Sequence, residues 1–196
     1  MNSRRPQLVL ASTSPFRSQL LQRLGMPFVT TAPNIDEAPL ADEQPPDLVQ
    51  RLSREKARAA AAGHANALII GSDQVACIDG SIVGKPGNRK RAIVQLQQAS
   101  GNQLTFYTGL SLLNSGSGRY QTICEPFLVQ FRTLSLEQIE RYVDAEQPFN
   151  CAGSFKSEGL GITLFERLQG DDPNALIGLP LIRLVNMLHN EGVSVP

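Results

Sequence analysis

The stretch Leu68-Ile69-Ile70-Gly71-Ser72-Asp73-Gln74-Val75-Ala76-Cys77-Ile78 sets four small or polar residues between two short apolar runs. Apolar runs of this length are typical of buried strands, so residues 68–70 and 75–78 are predicted to form two strands. An unpaired carboxylate is costly to bury. We therefore expect Asp73 at a sheet edge, at a break in a strand, or beside a cation. The alternative is a turn, because Gly, Ser and Asp are frequent turn residues.

The bulk composition is that of an ordinary globular protein. The chain has 196 residues, of which 41% are hydrophobic and 18% charged, and its formal net charge is zero. This length predicts one domain over residues 1–196, with room for two lobes. A neutral chain lacks the basic surface that binds a nucleic acid polymer or an anionic membrane, so we expect neither partner.

Signals for export, membrane insertion and zinc binding are weak. The apolar run Leu8–Ala11 is too short for a secretory leader, and no run approaches the ~20 apolar residues of a membrane span. We therefore expect a cytoplasmic protein. Two histidines and three widely spaced cysteines leave little from which to build a zinc site or a Ser-His-Asp triad.

The first elements have the pattern of a phosphate-binding turn. A strand is predicted at 8–11, then the hydroxyl-rich segment Ser12-Thr13-Ser14, then a helix with Pro15 as its first residue and Gly25 as its end. Free N–H groups at a helix N-terminus bind anions, and Arg17 in the first turn can add a charged pair. The alternative is ordinary capping by Ser14, with Arg17 in solvent.

Two charged sites have two interpretations each, and a third has one. Lys56 lies in the apolar stripe of a helix predicted from Pro46 to about Gly63, where it either extends to solvent or meets an anion in a cleft. The adjacent carboxylates Asp36-Glu37 are either metal ligands or solvated loop charges. Glycine and proline on either side of Lys85 restrain its backbone, which favours a lysine held in place.

The remaining chain alternates predicted strands and helices. Asp79-Gly80 is a hairpin turn signal. The other predicted elements are strands at 28–31, 103–113, 120–132 and 162–165, helices at 88–99 and 135–145 and after Pro180, and a turn at 171–174. The strands at 103–113 and 120–132 are predicted to form a long antiparallel hairpin.

Six motifs in order resemble the Maf family of nucleoside triphosphate pyrophosphatases: Ser12-Thr13-Ser14-Pro15-Phe16-Arg17, Asp36-Glu37, Glu55-Lys56-Ala57, Gly71-Ser72-Asp73-Gln74, Gly84-Lys85-Pro86 and Gly153-Ser154-Phe155-Lys156-Ser157-Glu158-Gly159. The resemblance covers about residues 8–188. It implies an α/β fold of the inosine-triphosphatase type, with a long mixed β-sheet flanked by helices and two lobes around a central cleft. A homodimer is a further expectation from the family.

The resemblance also implies a reaction and the residues that serve it. The reaction is hydrolysis of a nucleotide between its α- and β-phosphates, with a divalent metal, Mg²⁺ or Mn²⁺, as cofactor. Asp73 matches the proton acceptor, and Glu37 an acidic position that serves the metal together with Asp73. The positions that match polyphosphate-binding residues are Ser12, Arg17, Lys56 and Lys85, and the capping hydroxyl of Ser14 is predicted to join them.

Three positions bear on the choice of base. Family members that act on dTTP and UTP carry Arg, Thr and Gln where this chain has Phe16, Gln74 and Glu158. The chain is instead similar to the branch linked to 7-methyl-GTP. An aromatic face such as Phe16 can stack on the positively charged N7-methylated purine, and the carboxylate of Glu158 can accept from guanine N1–H and N2–H₂. The alternatives are the pyrimidine activity of the sister branch and a cell-division regulator that binds nucleotide without turnover.

Overall fold

The computed structural model describes residues 6–195, which contain seven strands and six α-helices. The strands are β1 (Gln7–Ala11), β2 (Val29–Thr31), β3 (Ala67–Ile78), β4 (Ser81–Val83), β5 (Gln103–Asn114), β6 (Arg119–Phe131) and β7 (Phe165–Gln169). The helices are α1 (Pro15–Gln22), α2 (Pro45–Ala61), α3 (Arg89–Ala99), α4 (Leu136–Glu146), α5 (Pro173–Ile177) and α6 (Leu181–Asn190). Two short 3₁₀ helices lie at Ala152–Ser154 and Leu160–Leu164.

The strands form one mixed sheet in the order β2-β1-β3-β5-β6-β7, with β4 paired to β3. β1 is parallel to both β2 and β3, with Val9 opposite Val29 and Ile69. β4 is antiparallel to β3, and β7 is antiparallel to β6. The predicted α/β class and the mixed sheet with flanking helices are confirmed.

Most of the predicted elements whose ends depend on capping residues or turn residues are confirmed. The Ser14 hydroxyl caps α1, and Pro15 is the first helical residue. Ser135 and Gln138 form the reciprocal capping box of α4. The turn at Asp79 and Gly80 has both residues at positive φ, as a tight hairpin requires.

Two predictions are wrong, and one is incomplete. The predicted break at 71–74 is absent, because β3 runs without interruption from Ala67 to Ile78. The strand predicted at 162–165 is instead the end of a 3₁₀ helix, and β7 begins at Phe165. The turn predicted at 171–174 opens α5, since the Asp172 carboxylate accepts from the Asn174 amide.

The chain divides into two compact units. The first contains the described residues up to Gln74, Thr108–Glu125 and those from Gly178 onward. In this unit small side chains of α2 pack on β1 and β3, and one buried cluster comprises Val9, Ala11, Ala57, Ala60, Ala67, Ile69 and Leu113. Within residues 6–195, no helix is both long and apolar enough to cross a membrane.

The second unit contains Val75–Tyr107 and Pro126–Ile177. Its core holds four phenylalanines in edge-to-face contacts, with ring centroids 4.8 to 5.6 Å apart: Phe106, Phe131, Phe155 and Phe165. Such contacts stabilise a core beyond simple area burial. The helices α3 and α4 add apolar side chains to this cluster, among them Leu96, Ile139 and Val143.

Two glycines let α2 lie unusually close to the sheet in the first unit. A Cβ on Gly71 of β3 would lie 2.0 Å from the Ser53 carbonyl oxygen, and one on Gly109 of β5 would lie 2.1 Å from the Val49 carbonyl oxygen. Real side chains essentially never approach backbone so closely. The glycine that sequence reasoning placed in a break is therefore a packing residue inside a continuous strand.

Candidate active site

The centre of the candidate site is an ammonium shared by two carboxylates. Asp73 on β3 is only 8% exposed, and its Oδ1 atom accepts a hydrogen bond from Nζ of Lys56 at 2.5 Å. Lys56 on α2 is 5% exposed, and the same Nζ lies 2.7 Å from Oε1 of Glu37. Because a buried charge must be paired, these three side chains stabilise one another. Of the sequence alternatives, Lys56 meets anions, and those anions are carboxylates of the chain itself.

The close approach of α2 to β3 brings Lys56 to Asp73. Side chains on a strand alternate between its two faces, so Gly71 and Asp73 both face α2. Gly71 admits the helix backbone at Ser53, and Lys56 follows one turn later on the buried face of the helix. The carboxylate of Asp73 in the middle of β3 is thus tolerated, because Lys56 of α2 supplies its counter-charge.

The second carboxylate oxygen of Asp73 remains available. Within residues 6–195, Oδ1 is bonded to Lys56, and no hydrogen bond reaches Oδ2. No buried side-chain oxygen or nitrogen of the described chain lacks a partner, so Oδ2 is in contact with solvent. A carboxylate held at one oxygen and open at the other can accept a proton from water.

The turn after β1 collects hydroxyl and guanidinium groups. The Ser14 amide and Nη1 of Arg17 both donate to Oγ of Ser12, at 3.1 and 3.4 Å. Nε of Arg17 donates to the Gly178 carbonyl oxygen at 2.9 Å. A guanidinium has five N–H donors, so three remain for an anion. The predicted grouping of Ser12, Ser14 and Arg17 is therefore observed.

The charges of the site act on Arg17. Burial lowers the pKa of Arg17, and the negative charges of Asp73 and Glu37 oppose that effect. The guanidinium is thus near both carboxylates. Four of the predicted site residues therefore share one region of the first unit, with the Arg17 and Lys56 cations beside the two acids.

Two side chains on the other face of β3, Ser72 and Gln74, have partners that sequence reasoning missed. The buried hydroxyl of Ser72 lies 2.8 Å from the Gly109 carbonyl oxygen and 2.9 Å from that of Gly178. Nε2 of Gln74 donates to Oγ1 of Thr108 at 2.9 Å. Gly178, which also holds Arg17, has a φ of 123° that favours glycine. The only sequence signal for Gly178 is that a glycine stands directly before Leu179-Pro180.

Lys85 belongs to the second unit, where its backbone is held but its side chain is exposed. The Gly84 carbonyl oxygen accepts from Gln95 at 3.1 Å, and the Gly87 amide donates to Phe149 at 2.9 Å. The backbone on both sides of Lys85 is thus held, but its exposed side chain does not confirm the predicted lysine held in place. Its role in phosphate binding stays a prediction.

Glu158 also belongs to the second unit, and it is exposed. Burial is the main cause that raises the pKa of the Cys151 thiol; the positive charges of Lys156 and Lys85 lower it, and the negative charge of Glu158 raises it. The charges of these three side chains, all in the second unit, therefore act on Cys151. The role of Glu158 in base recognition stays a prediction, as does that of Phe16, which is half-buried on α1.

A comparison with known protein families identifies the family of the chain. The model of the family described as Maf-like protein matches residues 7–191 of the chain. The chain belongs to the Maf-like family. The match spans every motif on which the resemblance was based, from the Ser12 turn to the segment that ends at Gly159.

Several proteins similar to this Maf-like chain carry the same name, 7-methyl-GTP pyrophosphatase. One from Alcanivorax borkumensis is 60% identical over 196 residues, with all of both chains covered. One from Vibrio cholerae is 57% identical over 96% of this chain and 97% of its own length. One from Pseudomonas aeruginosa is 56% identical over 97% of this chain and its own full length.

A solved structure supports the fold of the Maf-like chain. The Ham1 protein of Staphylococcus aureus superposes with a TM-score of 0.50, covering 94% of this chain and 99% of that chain. The two sequences are only 13% identical, so the likeness concerns the fold alone. It agrees with the expected inosine-triphosphatase type.

The predicted metal ligands of the Maf-like chain, Glu37 and Asp73, share one cation in the structure. Mg²⁺ is commonly held by one or two carboxylates together with waters and substrate phosphates, and two carboxylates on one ammonium fit such a site. In the part of the chain that the structure describes, no group of three or more His, Cys, Asp or Glu side chains forms a metal site.

Proposed function

We propose that the chain is a metal-dependent pyrophosphatase that hydrolyses 7-methyl-GTP to 7-methyl-GMP and pyrophosphate. The observation that carries the chemistry is the Asp73 carboxylate, which Lys56 holds at Oδ1 while Oδ2 is in contact with solvent. The relatives named for this reaction, 56–60% identical over nearly the whole chain, support the choice of substrate.

Binding of the polyphosphate would use donors that the fold leaves free. Arg17 keeps three N–H donors within the described chain, and the N-terminus of α1 adds backbone amides. Lys56 uses two of its three N–H donors on Asp73 and Glu37. The third can be given to a phosphate oxygen, so Lys56 can link the substrate to the acid.

Asp73 would orient a water and take its proton as that water attacks the α-phosphorus. The bond from the α-phosphorus to the bridging oxygen breaks, and pyrophosphate leaves with the electron pair. Arg17 and Lys56 would stabilise the charge that develops on the leaving group, the kind of electrostatic effect that dominates phosphoryl transfer. A bound Mg²⁺ or Mn²⁺ would supply further positive charge to the phosphates, with Glu37 and Asp73 as its protein ligands.

A panel of nucleotides tests the proposed substrate. We expect the highest kcat/KM for 7-methyl-GTP among 7-methyl-GTP, GTP, UTP and dTTP, measured as released pyrophosphate in Mg²⁺ or Mn²⁺. Removal of divalent ions with a chelator should abolish release, and adding them back should restore it. Preference for UTP or dTTP would instead assign the chain to the pyrimidine activity. Nucleotide binding without any release would favour the regulator.

Exchanging two base-reading residues tests the proposed specificity. The double variant Phe16→Arg and Glu158→Gln should lower turnover of 7-methyl-GTP relative to UTP by roughly 10–100-fold, the worth of a hydrogen bond to a charged group. Stacking on the cationic purine would be lost as well. Glu166→Gln, the same chemical change at an exposed position of β7, is the matched control. An unchanged substrate ratio in the double variant would contradict the assignment of both residues.

A further inference from the structure

The loop that carries Glu37 has an unusual combination of exposure and order. The Glu37 side chain is 61% exposed, yet its carboxylate lies 2.7 Å from the buried ammonium of Lys56. An exposed glutamate is normally free to rotate, and an isolated surface ion pair contributes little. Some other contact must therefore hold the loop over α2.

That contact comes from Arg51, one turn before Glu55 on α2. Nε and Nη2 of Arg51 donate to the two carboxylate oxygens of Glu43, at 2.7 and 2.8 Å. Nη2 also donates to the Ala38 carbonyl oxygen at 3.0 Å, and Nη1 donates to Glu55 at 3.1 Å. The guanidinium thus binds the loop through a side chain and through its backbone, while Glu55 holds it from the helix.

Glu43 extends the same network along the loop. Its Oε2 atom, which accepts from Arg51, also accepts from the Leu40 amide at 3.0 Å. Asp36 holds the loop near Glu37, because its Oδ1 atom accepts a hydrogen bond from the Ala38 amide at 2.9 Å. The backbone is therefore tied down at the residue that follows Glu37 and again two residues later.

We infer that Arg51 and Glu43 are positioning residues that hold the Glu37 carboxylate on Lys56. For its catalytic consequence the inference rests on the proposed function. When Glu37 stays in place, the Lys56 ammonium is shared between two acids and is fixed in direction. When the loop moves away, Lys56 pairs with Asp73 alone, and Glu37 is lost both to the ammonium and to any divalent ion.

The geometry of the Arg51–Glu43 pair suits a fixed support. The two side chains are 18% and 8% exposed, and a two-pronged arginine–carboxylate contact defines orientation as well as charge. The hydrogen bond from Arg51 lowers the pKa of Glu43 to about 2. Glu43 is therefore ionised throughout the neutral range, and the contact does not switch near physiological pH.

The experiment compares Arg51→Met, Arg51→Lys and Glu43→Gln with the control Arg54→Met, which removes the same charge from an exposed position of α2. Amide hydrogen exchange at Ala38 and Leu40 reports the loop directly. We expect exchange at Leu40 to become about tenfold faster in Arg51→Met, the worth of one hydrogen bond. The control should leave it unchanged.

The second measurement is kcat/KM for nucleotide hydrolysis by each variant, at a temperature well below its unfolding transition. Arg51→Met and Glu43→Gln should lower kcat/KM by roughly 10–100-fold, as the loss of a supporting partner typically does. Arg51→Lys should recover only part of this loss, because lysine keeps the charge but not the fork of donors. A purely structural role would lower the melting temperature of these variants and leave kcat/KM as in the unaltered protein.

Each result has one meaning. Unchanged exchange at Leu40 in Arg51→Met overturns the inference, and so does faster exchange with unchanged kcat/KM.

If the unaltered protein releases pyrophosphate from no nucleotide, the proposed function fails. The positioning role is then decided by the exchange data and a crystal structure of Arg51→Met. Glu37 still within 4 Å of Lys56 in that structure would contradict the inference; a displaced carboxylate would support it.

Discussion

Replacing Asp73 by Asn should lower nucleotide turnover by about 10²-fold or more, the scale of a lost acid–base group. The amide keeps the size of the carboxylate and can still accept from Lys56, so the local packing is preserved. It cannot take a proton from water at Oδ2, the atom that faces solvent in the structure. The measurement is pyrophosphate release from 7-methyl-GTP under saturating nucleotide.

The fold of the Asp73→Asn variant should survive, because Lys56 keeps the Glu37 carboxylate as a counter-charge at 2.7 Å. Thermal melting and circular dichroism check this point. Asp79→Asn is the matched control, since Asp79 is exposed and has a φ of 48°, a conformation that Asn adopts readily. Full turnover in the folded Asp73→Asn variant would exclude Asp73 as the proton acceptor.

Replacing Gly71 by Ala should destabilise the protein by about 3 kcal/mol or more, at the upper end of overpacking effects. The new Cβ would lie 2.0 Å from the Ser53 carbonyl oxygen and 2.9 Å from the Ala57 amide nitrogen. Both are backbone atoms of α2, so no side-chain rotation relieves the clash. The helix has to move, and Lys56 has to move with it.

Denaturant unfolding measures the effect of Gly71→Ala as a change in the free energy of unfolding. Gly109→Ala should act in the same direction, because its Cβ would lie 2.1 Å from the Val49 carbonyl oxygen on the same helix. Gly63→Ala is the control, with its nearest neighbour 4.0 Å away. A loss below about 1 kcal/mol in Gly71→Ala, the ordinary cost of a point change, would refute the packing role of Gly71.

Much of the site was predictable because its residues have strong local signatures. Ser14 before Pro15 and Arg17 predicts a capped helix N-terminus, and the structure places the three groups together. Lys56 in an apolar stripe left two alternatives, a side chain that extends to solvent or one that meets an anion, and the structure shows the second. Neither pattern identifies the partner, because Lys56 and Asp73 are 17 residues apart and only the packing of α2 on β3 joins them.

Residues with distant partners were the ones that sequence reasoning misjudged or missed. The segment 71–74 has the composition of a turn, yet it continues a strand, because Lys56, Gly109 and Gly178 supply partners for its polar groups. Arg51 carries no sequence signal for its hold on Glu43 and Ala38. At 160–164 the Leu160 amide donates to Glu146 of α4, and the chain turns where an apolar run predicted a strand.

The sequence by itself determined the capped helices, the hairpin turn and the grouping of Ser12, Ser14 and Arg17, and its motifs indicated the class of fold by their resemblance to a known family. Periodicity, capping and turn chemistry act over a few residues, so they can be read along the chain. Only the tertiary structure decided that β3 is unbroken, that Glu37 and Asp73 share Lys56, and that Gly178 orients Arg17. Those outcomes depend on hydrogen bonds and charges contributed by segments far apart in the chain, which no local pattern specifies.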